Sequence, residues 1–235
     1  MSAGPAVRSL EQVPARLLGP GVAAVELLDD RHGCRGLHQR RLRLAGGAPL
    51  AGTGAGLGEA WYVITGSGVL DTERTGRVAL APGTAVWLDP ALGYACQAQR
   101  ELRILAVTVR AGSAVAGPAQ PVVRLADCTP EVTGDREFRV LLSEGLTITQ
   151  FAGLIPPGRA PAHHHTYDEV VHVLAGEGVV HLGEPGSETE TGIGPGTSIY
   201  LPPLTPHCLE NTGSVPLEVL GVFHPAGSPA AKQIS

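Results

Sequence analysis

Apolar and polar residues in this chain alternate with a period of two in short runs, and almost nowhere show the 3.6-residue period of a surface helix. In the first half the runs Leu37–Leu44, 60–65, 85–88 and Leu102–Val109 predict strands; in the second half 146–154, 170–174, 198–201 and 217–223 do so. Gly, Pro, Asn and Asp bound nearly all of them, which is the punctuation of turns between strands. One short helix is expected near residues 9–12. The pattern is that of an all-β protein.

The strands come in two sets. Glu59-Ala-Trp-Tyr-Val-Ile-Thr-Gly66-Ser-Gly68-Val69 lines up with Glu169-Val-Val-His-Val-Leu-Ala-Gly176-Glu-Gly178-Val179 at an offset of 110. Ala81-Pro82-Gly83-Thr84 matches Gly194-Pro195-Gly196-Thr197 at an offset of 113, and three extra residues in the turn region 184–191 account for the change. Leu102–Val109 is placed on 215–222 at that same offset. The chain is therefore read as two copies of one β-rich unit, residues 1–113 and 114–235, joined through the small-residue, proline-containing stretch 111–121.

Composition narrows the class without choosing the function. A length of 235 residues allows two cores of ordinary size, and 43% hydrophobic residues exclude a disordered chain. A net charge of −5 and the lack of a basic stripe argue against a nucleic-acid partner. No apolar run is long enough for a membrane span or a signal peptide, and Cys34, Cys96, Cys128 and Cys208 match no metal-knuckle spacing. Reduced thiols in a cytoplasmic protein are expected.

The chemistry concentrates in the second copy. Pro157-Gly158-Arg-Ala-Pro-Ala-His163-His164-His165-Thr-Tyr-Asp168-Glu169 places His163 and His165 on one strand face and His164 on the other. A tight turn would bring Glu169 back to the face of His163 and His165. Further on, Gly196-(5)-Pro202-Pro-Leu-Thr-Pro-His207-(3)-Asn211 offers a third imidazole. Three neutral imidazoles and one carboxylate suit one divalent transition metal per chain (Fe, Mn, Ni, Cu or Zn, with Fe or Mn favoured) and leave positions open for water or substrate.

These two stretches resemble the paired motifs of the cupin superfamily, G-x5-H-x-H-x3-4-E-x6-G and G-x5-P-x-G-x2-H-x3-N. One residue is missing between Gly158 and His163, and Leu204 stands where glycine is usual. The resemblance covers roughly residues 37–224. It implies two antiparallel, jelly-roll-like cupin barrels in tandem, a bicupin, with His163, His165, Glu169 and His207 as metal ligands. In the first copy Thr53 and Ala55 replace the two histidines, Tyr94 replaces His207, Ala98 replaces Asn211, and only Glu59 survives. That barrel is expected to be metal-free, with a homodimer as an expected assembly.

Around the ligands, Gln150, Phe151, Tyr200 and His181 are the candidates for the wall of a small-molecule pocket, while His164, His172, His224 and an outward-pointing Cys208 are expected to stand apart from it. The activity implied is that of a metal-dependent oxidoreductase of dioxygenase type. A non-redox lyase, isomerase or hydrolase is the alternative, ureidoglycine aminohydrolase being a bicupin with its metal in the C-terminal barrel alone. A barrel that only binds a ligand is the third reading.

Overall fold

A computed structural model describes residues 4–90, 92–110, 112 and 117–230. Among the described residues antiparallel strands dominate, and helix is confined to three single turns at Leu10–Gln12, Asp30–His32 and Leu125–Asp127. The first of these is the short helix expected near residues 9–12.

The strands form two seven-stranded and two four-stranded sheets, and the two halves repeat the same strand order. In the first half Glu59–Thr65 lies between Thr84–Leu88 and Leu102–Val109; in the second, Asp168–Ala175 lies between Thr197–Leu201 and Leu217–His224. The small sheet of the first half pairs Gly93–Ala98 with Pro49–Thr53 and Gly68–Thr72; that of the second pairs His207–Asn211 with Gly158–Arg159 and Gly178–Leu182. The hairpin after Gly178–Leu182 has a six-residue loop before Thr189, where its counterpart after Thr72 has three, which is the source of the 113 offset. The last strand needs a correction. Glu59 pairs with Thr108 and Glu169 with Phe223, so the offset there is 115, because the connection after Asn211 is two residues longer than the one after Ala98.

The units 1–113 and 114–235 are not closed on themselves. Ala6–Ser9 pairs with Thr197–Leu201 of the second barrel, and Val122–Arg124 pairs with Thr84–Leu88 of the first. Each barrel thus takes an edge strand from the other side of the joint, and its main-chain donors and acceptors are covered there. The dividing residues 113 and 114 lie outside the described residues.

Alternation along Leu102–Val109 explains how the two barrels adhere. Leu102, Ile104 and Ala106 turn into their own barrel, while Leu105, Val107 and Val109 join a cluster with Leu142, Ile148 and Val222 of the second barrel. Strands buried on both faces read as almost continuous apolar runs, and these are the ones the sequence pattern revealed. Gly176 begins the turn after Asp168–Ala175 at φ 83°, and a Cβ there would stand 2.9 Å from both Leu217 Cα and the Pro216 carbonyl oxygen. Only glycine meets both demands.

Candidate metal centre

His163 and His207 are fixed to each other by their backbones. The His163 N–H donates to the His207 carbonyl at 3.0 Å and the His207 N–H returns the bond at 2.9 Å. Each ring is then oriented by its own Nδ1, which lies 3.1 Å from the Pro161 carbonyl in His163 and 2.9 Å from the Thr205 carbonyl in His207. A carbonyl only accepts, so Nδ1 carries the proton and Nε2 presents its lone pair. His165 follows on the same side, its carbonyl held by the Leu204 N–H at 2.6 Å. The three rings lie 4.4–5.5 Å apart by centroid, and each offers a nitrogen within 4.8 Å of the others. Glu169, near the start of Asp168–Ala175, brings Oε2 to 3.4 Å from His165 Nε2 and 3.7 Å from His207 Nε2.

The electrostatics of the cluster are those of a donor set without charge of its own to spare. Burial, then the neighbouring imidazoles, pushes His165 and His207 down to about 3, and burial likewise lowers His163. Burial pushes Glu169 up to about 8, against the pull of Arg136. Glu169 Oε2 is buried and has no hydrogen-bond partner. Neutral imidazoles with inward lone pairs beside an unsatisfied carboxylate oxygen fit a divalent transition metal better than they fit one another.

The cluster faces a cavity of about 70 Å³ that is partly open to solvent. Its walls are mainly apolar and include Phe138, Phe151, Leu154, Val219 and Phe223.

Residues 152–223 match the family described as the cupin domain. The second barrel is a cupin domain. Over 62 residues the chain is 39% identical to the uncharacterized protein MJ1618 of Methanocaldococcus jannaschii, a stretch making up 26% of this chain and 46% of that protein. The chain thus spans less than half the length of this curated relative. Among solved structures, oxalate decarboxylase of Bacillus subtilis aligns with a TM-score of 0.78 over 94% of this chain and 78% of that one, at 18% identity. The same enzyme at pH 4.6 gives 0.77 over 94% and 77%, also at 18% identity. The likeness extends through both halves and establishes a shared two-barrel cupin fold.

Within the cupin domain the wall residues expected from sequence separate. Phe151 lines the cavity, packed on Phe223 at a centroid distance of 4.9 Å. Gln150, one residue earlier, takes the opposite face, fully buried between strands that carry Leu142 and Val222. The Tyr200 hydroxyl donates to Asp168 Oδ1 at 2.6 Å, and its ring belongs to the cluster between the barrels. His181 is buried beside Glu210, Nε2 to Oε2 at 2.8 Å, whereas its neighbour Val180 points inward. Strand alternation removes all three from the cavity. Among the lining residues that sequence reasoning missed are Thr133, Arg136, Phe138, Leu154, Val219 and Phe223. In Arg136–Leu142 the alternation of Phe138, Val140 and Leu142 is a legible signal, masked by three charged side chains at its head.

The remaining histidines stand apart from the centre. His164 is half-buried off the ligand face, and His172 is fully buried with Nδ1 2.8 Å from Ser198 Oγ. Cys208 is buried and not solvent-facing; Arg159 Nε donates to its sulfur at 3.3 Å.

In the first cupin barrel a guanidinium stands against the surviving carboxylate. Arg40 pairs across the sheet with Ala106 as Phe151 does with Gly221, so it is the positional counterpart of Phe151. Its Nη2 lies 2.9 and 3.1 Å from the two Glu59 oxygens, and Trp61 Nε1 donates to Oε1 at 2.6 Å. Trp61 meets Tyr94 edge-on at 5.2 Å. A built-in organic cation and two aromatic rings thus fill the place that imidazoles surround in the second barrel.

Proposed function

We propose that this chain is a metal-dependent enzyme acting on a small organic molecule in its C-terminal cupin domain, by an oxidation of dioxygenase type. The reading is carried by one juxtaposition. Three imidazoles and a carboxylate face a cavity walled by phenylalanine and aliphatic side chains, with few groups able to carry a proton. A divalent ion held by His163, His165, Glu169 and His207 would supply Lewis acidity and, for Fe or Mn, electron transfer to dioxygen. The chain itself contributes order. The Pro161 and Thr205 carbonyls hold the imidazole tautomers, Phe151 and Phe223 exclude water, and the apolar walls orient a substrate toward the donor face.

A lyase reading has one observation in its favour. The fold is shared with oxalate decarboxylase, whose Bacillus subtilis form has Mn(II) centres. Elemental analysis of protein purified without added metal is expected to give about one Fe or Mn per chain. His163→Ala and Glu169→Gln should lose it while keeping the fold. Oxygen uptake with enols, diols and keto acids then supports dioxygenation, and carbon dioxide release without oxygen uptake overturns it in favour of the lyase. Metal retained in both variants would place the site elsewhere.

A further inference from the structure

The cavity of the cupin domain contains one basic side chain, and its charge is unanswered. Arg136 opens the strand Arg136–Leu142 and lines the cavity with the three imidazoles and Glu169. Its positive charge acts on all four of those groups. Among the described residues no carboxylate pairs with it, and its Nε is buried without a hydrogen-bond partner. Of the two acids that flank it in sequence, Asp135 forms no ion pair with it and Glu137 is engaged by Arg139 at 2.6 Å. Arg159, the arginine next to the histidine motif, is committed to Glu188 and Cys208. A guanidinium that is partly desolvated and unpaired is poorly satisfied, and a planar anion meets its fork in two parallel bonds. Beside it the three rings of Phe138, Phe151 and Phe223 form one cluster and offer no polar atom.

Resting on the reading that this cavity is the substrate site, we propose that the substrate is a small monocarboxylate with an apolar body. Arg136 takes the carboxylate, the phenylalanine cluster takes the body, and the remainder of the molecule reaches the imidazole face. Arg136 is thereby a specificity-determining residue. A polar dianion with no apolar portion would leave the three rings unused.

Calorimetric titration of the purified full chain tests this, with acetate, hexanoate, benzoate and phenylacetate as probes, phenylacetamide as the uncharged counterpart and sulfate as a bare anion. Phenylacetate or hexanoate is expected to bind at least about tenfold more tightly than phenylacetamide, acetate and sulfate, the size of one charge-assisted pair. Arg136→Gln should abolish the preference for acid over amide, and Arg136→Lys should retain part of it, with unchanged melting temperature showing that both variants fold. Equal binding of acid and amide, a preference surviving in Arg136→Gln, sulfate binding as tightly as the acids, or no binding by any acid would each overturn the proposal. Metal content measured on the same samples keeps the two readings apart. An acid preference that depends on Arg136 in protein whose metal is indifferent to His163→Ala would sustain this inference and sink the metal-dependent one.

Discussion

Replacing Arg40 by methionine strikes the first barrel at its most exposed energetic point. Glu59 is 1% exposed and its two oxygens are held by one guanidinium and one indole N–H. Methionine fills much of the arginine volume but removes the cation, so a buried carboxylate remains with a single donor. Breaking a buried pair in this way costs about 3–5 kcal/mol. For a chain of this size each kcal/mol lowers the melting temperature by about 2–4 °C, so Arg40→Met is expected to melt roughly 6–20 °C below the parent. Adding Glu59→Gln removes the stranded charge and leaves the amide oxygen to accept from Trp61, so the double variant should recover more than half of the loss. Scanning calorimetry on the parent, both singles and the double closes the cycle, with metal content as a control that the second barrel is untouched. A loss below about 1 kcal/mol for Arg40→Met, or a double variant no better than that single, would refute the idea that Arg40 serves as the barrel's built-in cation.

Three further outcomes are expected. Burial, with Arg41 adding to it, keeps His172 neutral down to about 3, while an unfolded chain protonates it near 6.5. Below that pH the unfolded state binds a proton that the native state refuses, so stability falls by up to about 1.4 kcal/mol per pH unit until about 3; His172→Gln should flatten the acid limb of a urea-stability profile, and an unchanged slope would count against the assignment. Leu204 sits at φ 63° with 61% of its surface exposed, where a side chain costs about 1–2 kcal/mol and glycine's chain entropy returns about 0.5–1. Leu204→Gly should therefore raise the melting temperature slightly, and a clear drop would show that Leu204 makes contacts worth more than the strain. Asn211 donates to the Ile155 and Val215 carbonyls at 2.8 Å and accepts from the Gly213 N–H at 2.9 Å, so Asn211→Ala should cost about 2–4 kcal/mol. Unchanged metal content in that variant would mark the motif asparagine as a brace of the fold; loss of metal at full stability would contradict this.

The residues that could be read from the sequence are those whose role is local. His163 and His165 share a face because alternate residues in an extended segment do so, and Gly176 announces a turn because no other residue takes its conformation. Strands buried on both faces were legible for the same reason. What escaped depends on partners far along the chain. Arg136 looks like an ordinary surface charge until the sheet places its strand beside Thr149–Ile155 and over the imidazoles. Tyr200 and His181 have the chemistry of pocket residues, but register turns one toward the neighbouring barrel and the other toward Glu210. The short strand Ala6–Ser9 has no strong pattern of its own, since it is defined by the edge it covers.

That borrowed edge constrains how the chain comes into being. Residues 6–9 leave the ribosome ahead of residues 197–201, yet the groove they occupy exists only after the latter have been made, so this segment waits while all the residues between them are synthesised. A gene severed at the joint would encode two fragments, each with one bare sheet border and one orphan strand. Mixed in a tube, such fragments already carry the matching halves of a reciprocal clasp, which makes the protein a natural candidate for split-reporter complementation.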